Sequence, residues 1–553
     1  MSTSTEDARE WFDRLMVEAT GHTHEQYELL RHAPHTNLEH VKLYGRIVDE
    51  SGCVDALERW ADERRKSNAG RKPLMSFRTV LILFVMHLDS DSDQRCNNIA
   101  KTLFAQTTPE TRAYLGLPRL RLTKRQWYCR YWRALNRMLS LVEPWDVPKN
   151  RAATAEEYQR ALETYSQVKR DRMDEIMNRL VQTTVRRLPD EIRATYKGNV
   201  AIDATLLQVV GEANPNRANT HLDRLNLDSM SGRYRRGGNH EGTGAKKDSA
   251  GWEVETIVTV PNAPGQPDSF PILTTALTMH QPGRTKHGPR VALEHHCREF
   301  GEHERGYLLA DRLYSDGSKP ERFQKHVMRM RFRTVFDYKI KKSGKNAAID
   351  DVIFVGGRPY VKWMPEALIT AQQDYKAGLI DKDTCEARIA GRTPYALKDH
   401  GRPDHEGRQR FTYPDLSKVM CIDPATKKVV KPKLTKKTFT LAPEDAASMR
   451  AIKYLQGFEH KSTEWRAWYG LRSHVESNNQ YVKSDAATDL GNPEKRRPRG
   501  YAYQALSAAV AFAVSNLRRI VSFIEAKFEA ATDDTPKKRQ RRRTDEHGVP
   551  LPH

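Results

Sequence analysis

The chain has 553 residues, which is enough for two to four domains. Lysine and arginine number 92 against 71 acidic residues, so the formal charge is +21, which favours a nucleic acid partner over an anionic membrane surface. The longest strongly apolar run, Val80–Met86, is too short to span a bilayer, and the acidic N-terminus does not resemble a signal peptide. Six scattered cysteines without Cys-x-x-Cys spacing predict reduced thiols rather than a zinc site or a disulfide framework.

Residues 1–195 have few glycines and prolines and show helical apolar spacing, which predicts a mostly helical domain. Ser76–His87 is expected to be a buried helix or another buried segment. Thr123 is expected to cap a helix with the sequence RQWYCRYWRALNRML, in which arginines alternate with aromatic residues. That mixture suits contact with a DNA backbone, although burial of the aromatic residues in a core is the favoured alternative for them. Glu156–Arg187 is expected to form one or two charged helices that act as a spacer.

Residues 196–341 change to the pattern of strands. The run NVAIDATLLQVV is a strand interrupted by Asp203, and a polar loop with a flexible basic patch, GRYRRGG, is expected within Gly211–Gly251. WEVETIVTV and FPILTTALTM then predict a hairpin. GYLLAD predicts a strand that ends in Asp311, and FRTVFDYKI predicts another, with helices at Pro289–Phe300 and Pro320–Met330. This order predicts a mixed α/β sheet.

Residues 342–455 break that order, and we interpret them as an inserted subdomain. DVIFVGGRPYV predicts a hairpin that turns at Gly356 and Gly357, and two short helices follow, the second starting at Asp381. Lys427–Lys437 carries six lysines and is expected to form a basic β ribbon.

Residues 456–530 return to a helical pattern. Trp465–Lys483 predicts one helix, and Tyr501–Ala530 predicts a long amphipathic helix that closes the core. Between them, GNPEKRRPRG is expected to be a basic loop. The tail 531–553 contains KKRQRRR and is expected to be disordered, serving either to bind phosphates without specificity or to aid solubility.

The segment YGLRSHVESNNQYVK carries the most informative polar residues. On a helix that turns about 100° per residue, Tyr469, Arg472, Glu476 and Lys483 fall in one stripe. Next to this stripe lies an apolar face: Trp468, Leu471, Val475 and Val482. A carboxylate among cations suits a metal ion with phosphates, and a solvated helix with an Arg–Glu pair is the alternative.

Two further carboxylates interrupt or end apolar strands, where a charge is costly unless it has a partner. Asp203 and Asp311 with Glu476 therefore form a set that can hold two divalent ions, which clamp the attacking and leaving oxygens of a phosphodiester. Magnesium suits this set because it takes carboxylate, water and phosphate oxygens together. Four other residues are of types that bind metals: His295, His296, Cys297 and His303. Because adjacent residues of a helix point in different directions, a surface or core-edge location is favoured for them over a metal site.

These motifs resemble the DDE transposases of bacterial insertion sequences, in particular the class with a Tyr-x2-Arg-x3-Glu-x6-Lys signature. The four stripe residues match that spacing, AIDAT around Asp203 looks like the first-Asp motif, and LLADRLYSD around Asp311 looks like the second. RGYAYQALSAAVAFAVSNLRRI resembles the helix that follows in this class. The resemblance covers roughly residues 196–345 and 456–525, and residues 342–455 match no insertion of the class that we can assign.

The resemblance implies an RNase H-like mixed-sheet core (196–341 and 456–530) with an inserted subdomain and an N-terminal helical, DNA-binding domain. It implies two Mg²⁺ (or Mn²⁺) ions, cleavage of transposon ends and strand transfer into target DNA. Carried over by position, the catalytic metal ligands are Asp203, Asp311 and Glu476, and the DNA-binding residues are Tyr469, Arg472 and Lys483.

The implied partners are double-stranded DNA, as terminal inverted repeats and target, and a second copy of the chain in the synaptic complex. A cytoplasmic, nucleoid-associated location without a membrane is expected. Two other functions stay open: a DNA-binding protein derived from a transposase but without chemistry, and an RNase H-like nuclease without strand transfer. Because a silent binding protein has no need of three acids, their presence argues against the first of these.

Overall fold

The computed structural model describes most of the chain between residues 5 and 532. The residues in that span that it does not describe are 66–72, 91, 118–121, 213–225, 237–246, 285–287, 302, 304, 316, 318 and 340–343. The basic tail, KKRQRRR included, lies outside the described residues. The described part is a mixed α/β structure, which confirms the predicted class at that level.

The described residues before 196 are mostly helical, as predicted. The helices are α1 Thr5–Thr20, α2 His24–His32, α3 Leu38–Glu50, α4 Cys53–Glu63, α5 Phe77–Asp89, α6 Cys96–Ala105, α7 Pro109–Tyr114, α8 Lys124–Leu139, α9 Ala155–Glu163, α10 Gln167–Arg186 and α11 Asp190–Arg193. Ser76 and Thr123 cap α5 and α8 through their side-chain oxygens, since each accepts the backbone N–H three residues on. All but two residues of α5 are buried, which confirms the predicted buried helix.

A six-stranded sheet follows. Its strands are β1 Val200–Gln208, β2 Gly232–Arg236, β3 Lys247–Thr259, β4 Thr274–His280, β5 Tyr307–Ala310 and β6 Arg333–Phe336, with helices α12 Gly288–Glu299 and α13 Gln324–Arg329 between them. β3 pairs antiparallel with β1, β2 and β4, which confirms the predicted hairpin of β3 and β4. β5 pairs parallel with both β1 and β6. The GRYRRGG segment was expected to be a flexible loop, but its residues 232–236 form β2, which is an error of the prediction.

Residues 344–455 form three small sheets and four helices. In chain order they are β7 Lys345–Ile349, β8 Val352–Val355, β9 Arg358–Val361, α14 Glu366–Ile369, α15 Ala371–Lys376, α16 Lys382–Ala390, β10 Lys398–Asp399, β11 Gln409–Thr412, β12 Cys421–Ile422, β13 Val429–Val430, β14 Thr438–Leu441 and α17 Ala446–Tyr454. The hairpin of β8 and β9 is confirmed, and Gly356 and Gly357 take positive φ of 55° and 80° at its turn. The predicted basic ribbon over Lys427–Lys437 is wrong, because β13 is its only strand and is two residues long.

The last part contains α18 Thr463–Gly470, α19 Ser473–Lys483 and α20 Tyr501–Thr532. The single helix expected over Trp465–Lys483 is therefore broken between Gly470 and Ser473. The backbone there makes tight turns instead, with Leu471 N–H bonded to the Trp468 carbonyl and Arg472 N–H to the Tyr469 carbonyl.

The helices before residue 195 share hydrophobic cores with the sheet and with α20. One core joins residues of α3–α6, α8 and α10 to buried residues of β1, β3, β4 and α20. A second joins α1–α3, α10, α12 and the other end of α20 to the strands β1, β4, β5 and β6. The charged helix α10, expected to be a spacer, is instead buried against β4 and α20, through residues such as Met177, Leu180 and Val181. Residues of the 344–455 block form a third core of their own, with Met328 contributed from α13.

Helix α20 is long and apolar enough to cross a bilayer, the single such helix among the described residues. However, 78% of its most apolar window is buried inside the protein. Its apolar surface is therefore used in the packing of the two large cores, as expected for the central helix of a folded domain. The six cysteines, all of them described, form no disulfide, as predicted.

Candidate active site

The pairing of β1 with β5 brings two of the predicted acids to one place. Val200 lies beside Leu308 and Ala201 beside Leu309 in the parallel register. Continued by two residues, this register sets Asp203 next to Asp311, on strands whose axes are about 4.8 Å apart. Asp203 is half-buried within β1, and Asp311 directly follows β5, where its carboxylate accepts the Leu313 N–H at 2.8 Å.

Helix α19 is attached to the same sheet by its buried face. Val475 and Val482 are completely buried, as the predicted apolar face required. Two buried amides add specific contacts: Asn479 Oδ1 accepts the hydroxyl of Thr256 at 3.1 Å, and Asn478 Nδ2 donates to Thr274 Oγ1 at 2.8 Å. Thr256 is the cross-strand partner of Asp203, so the bond from Asn479 holds α19 beside the part of β1 that carries Asp203.

Glu476 projects from the first turn of α19 and is exposed. Its Oε1 accepts a hydrogen bond of 2.6 Å from Nη2 of Arg472, so the ion pair of the alternative interpretation is present. Arg472 precedes α19 at the helix break, and its guanidinium carbon lies 5.7 Å from the ring centre of Tyr469. Tyr469 belongs to α18, where its ring stacks on that of Trp465. The four signature residues thus come from two helices and the turn between them, and not from one stripe as predicted.

The acids act on one another electrostatically. Burial raises the pKa of Asp203 to about 7, Arg472 opposes the rise, and the negative charges of Asp311, Glu255 and Glu476 add to it. Burial also raises the pKa of Asp311, against the opposing effects of the Leu313 N–H and Arg472. Burial is thus the main cause of both shifts, and the neighbouring carboxylates add to the shift of Asp203.

Lys483 lies two turns of α19 beyond Glu476 and is half-buried. Burial lowers the pKa of its ammonium group to about 8, and the nearby carboxylate of Asp203 opposes that change. Burial raises the pKa of Tyr469 to about 12, again with Arg472 opposing. The cations and the phenol of the signature therefore surround the acids from the α18–α19 side.

A fourth carboxylate, Glu255 of β3, was missed by the sequence analysis. It is completely buried, and its two oxygens are bonded separately: the Tyr314 hydroxyl donates to Oε2 at 2.5 Å, and Nε2 of His280 lies 3.1 Å from Oε1. Tyr314 stands in the turn that begins at Asp311, because its N–H bonds to the Asp311 carbonyl. Glu255 thus ties this turn to β3. The signal that identified Asp203, a charge within an apolar strand, is present in WEVETIVTV as well.

The three predicted metal ligands do not form a compact single-ion site. Within the part of the chain that the structure describes, the one set of three metal-binding groups with all ligand atoms within 4.8 Å of each other is His24, Glu28 and Glu525. There, Arg31 forms ion pairs with both glutamates and so balances part of their negative charge. At the candidate site, Glu476 is turned towards Arg472.

The histidines of α12 occupy the protein interior. His296 is completely buried, its Nδ1 lies 2.7 Å from the Thr275 hydroxyl, and burial lowers its pKa to about 3. Burial also lowers the pKa of His295 to about 4. These residues pack between the helix and β4 as neutral side chains, deeper than the predicted surface or core-edge location.

Comparison with known protein families finds no match for this chain, and no curated protein matches it. Function is therefore inferred from the residues of the site and their geometry.

Proposed function

We propose that the protein is a DNA transposase that cleaves phosphodiester bonds at the ends of a mobile element and joins them to target DNA. The observation that carries this proposal is the register of β1 with β5, which sets Asp203 next to Asp311, together with the Asn479–Thr256 bond, which holds α19 and its Glu476 at the same sheet. These residues come from β1, the end of β5 and α19, and are separated by more than one hundred residues of chain. Carboxylates brought together within a partly buried site are typical of a site that acts on phosphate through divalent ions.

We further propose that the sheet is an RNase H-like core and that residues 342–455 are an inserted subdomain. The strand order β4-β3-β1-β5-β6, with antiparallel pairing on one side of β1 and parallel pairing on the other, supports the first part. The separate core of the 344–455 block, placed in the sequence between Asp311 and Glu476, supports the second.

The donor set fits two Mg²⁺ or Mn²⁺ ions. All candidate ligands are carboxylate oxygens, which hard divalent cations prefer, and two ions about 3.5–4 Å apart need a wider set of ligands than one ion does. Asp203 is desolvated and has other carboxylates near it, and a bound cation would relieve both effects. Asp203, Asp311 and Glu476 would hold the ions. When bound, such ions promote deprotonation of an attacking hydroxyl and stabilise charge on the phosphate.

The remaining signature residues are suited to holding DNA. Arg472 and Lys483 lie beside the acids with their charges partly desolvated, so each can pair strongly with a phosphate oxygen. Tyr469 has a phenol that can donate to phosphate or sugar. Such contacts fix the position of the scissile bond and do not read its sequence.

The test uses the purified protein and a duplex that carries an inverted repeat taken from the DNA flanking the gene. We expect cleavage with Mg²⁺ or Mn²⁺, none with chelator, and none by Asp203→Asn, Asp311→Asn or Glu476→Gln. Asp268→Asn, an exposed acid in the β3–β4 connection, is the control and should cleave normally. Metal-dependent cleavage that persists in one of the three variants removes that residue from the site.

A second readout separates the three candidate functions. Joining of a cleaved 3′ end to target DNA identifies a transposase, and cleavage without joining identifies a nuclease. Specific binding of the repeat without cleavage under any metal condition identifies a DNA-binding protein without chemistry and refutes the proposal.

A further inference from the structure

We propose that one face of α8, with the segment 73–75 beside it, is the surface on which the backbone of duplex DNA lies. That the partner is DNA rests on the proposed function. The location of the DNA on α8 goes beyond what the net positive charge of the chain indicates. Helix α8 is more than 60 residues from Asp203 in the sequence, and the chemistry proposed for the acids does not depend on α8.

Three of the four arginines of α8 lie in one row, and the fourth, Arg125, lines the same groove from the start of the helix. Arg130, Arg133 and Arg137 follow each other at intervals of three and four residues, which places them in one row on a helix. With Arg125 at the start of the helix they span twelve residues, or about 18 Å. They line a groove of about 790 Å³, whose other wall includes the apolar segment Pro73, Leu74 and Met75. A strand of DNA backbone offers several phosphates over such a length.

Three of the four arginines of this groove have no acid partner within the described residues, and Glu58 acts electrostatically on the fourth, Arg137. Arg125, Arg130 and Arg133 form no ion pair or hydrogen bond within the described residues, although arginines elsewhere in the chain pair with acids. The fourth, Arg137, is held in place: its guanidinium carbon lies 4.5 Å from the centre of the Phe77 ring, and its Nη2 donates to the Met75 carbonyl at 3.2 Å. Like charges in a row repel one another, so an array of this kind favours a polyanion across it.

Exposed aromatic residues of α8 lie on the flank that carries Arg125, and not beside the row of Arg130, Arg133 and Arg137. Tyr128 and Trp132 are 38% and 48% exposed and lie one turn apart, whereas Trp127 and Tyr131 are buried and fix the helix to the core. The expectation that the aromatics of this segment are buried therefore holds for only half of them. Because these rings do not line the groove, the arginines alone carry the proposed contact with the phosphates of a duplex backbone.

The test compares two triple variants that remove the same charge. The groove variant changes arginines without an acid partner: Arg125→Gln, Arg130→Gln and Arg133→Gln. The control variant changes exposed arginines that pair with acids elsewhere: Arg14→Gln, Arg151→Gln and Arg408→Gln. Binding of a short labelled duplex is measured by fluorescence anisotropy from about 50 to about 200 mM salt.

We expect the groove variant to bind at least about tenfold more weakly and to lower the slope of log K against log salt by about 0.9 for each phosphate that the variant no longer neutralises. The control variant should keep a slope near that of the unchanged protein. Arg137 is left in place because it packs on the core, and a thermal melt verifies that both variants are folded. Equal slopes and affinities for the two folded variants overturn the inference. Weaker binding of a single strand with unchanged duplex binding overturns it as well.

The outcome is separable from that of the proposed function. If the protein never cleaves DNA but the groove variant alone loses duplex binding, the inference stands and the transposase proposal fails. If the protein cleaves and the groove variant binds like the control, only the inference fails.

Discussion

Replacing Asp203 with asparagine should make the metal-free protein more stable at neutral pH, although it removes a proposed catalytic group. The folded protein raises the pKa of Asp203 from 3.8 to about 7, so the folded state binds this proton more tightly than the unfolded chain does. The resulting penalty is absent below pH 3.8, grows as the pH rises, and is complete above pH 7. Asparagine has nearly the same shape and no charge, so it removes the penalty.

The size of the effect follows from the shift. One pKa unit corresponds to about 1.36 kcal/mol, so the full penalty is about 4 kcal/mol. Asp203 is only half-buried, and solvent screens part of its interactions, so we expect a gain in the free energy of unfolding of about 2–4 kcal/mol at pH 8. At pH 4 the gain should almost vanish, because the folded protein then holds Asp203 mostly protonated.

The assay is denaturant unfolding in the presence of a chelator, at several pH values between 4 and 8, for the unchanged protein and the variant. Asp268→Asn serves as the control and should show no gain that grows with pH. Adding Mg²⁺ should then stabilise the unchanged protein more than Asp203→Asn, by about 2.7 kcal/mol when the ion is at a hundredfold its Kd. The reasoning is refuted if Asp203→Asn is less stable than the unchanged protein at pH 8 without metal, or if the difference does not depend on pH.

Three other changes test the supports of the site. Tyr314→Phe removes one hydrogen bond from the buried Glu255, and we expect a loss of about 1–3 kcal/mol in unfolding free energy and slower DNA cleavage, measured together. Asn479→Ala removes the bond that holds α19 to β3 and should cost about 1 kcal/mol in denaturant unfolding. One alanine inserted between Ser473 and His474 turns the rest of α19 by about 100° and should abolish cleavage in protein that remains folded; near-normal cleavage would contradict the assigned geometry.

The sequence was sufficient to predict the strands that carry the acids, because their apolar runs are flanked by turns and can be recognised locally. β1, β5 and the hairpin of β3 with β4 were predicted in this way. The strand β2 was missed because GRYRR has neither alternation nor apolar residues. Its pairing with β3 depends on contacts such as the one between Arg233 and Asp248, which only the folded chain brings together.

Two errors at the site have the same origin. The break between α18 and α19 was not predicted, because the sequence there has no proline and the helical spacing of apolar residues continues through it. Gly470 and Ser473 are the local signs of it, since the Ser473 hydroxyl donates to the Gly470 carbonyl and closes the turn. Arg496 was expected in a basic loop, yet it is buried and donates to Gln504 and to two backbone carbonyls. The sequence shows that a residue is charged, but only the folded structure shows whether that residue is buried with hydrogen-bond partners.

The ion pair of Arg472 with Glu476 is what a solvated helix without a metal site would also show. The two interpretations, an ion pair alone or a metal site, differ in the free energies that they have to explain. A surface pair of this kind stabilises a protein by about 0–1 kcal/mol, and it accounts for these two residues alone. It does not explain why Asp203 is kept within an apolar strand beside other carboxylates, at a penalty several times larger. A structural role would be served better by asparagine at that position. The penalty is understandable if a cation that binds there offsets it, because the repulsion between the acids then becomes attraction to a shared ion.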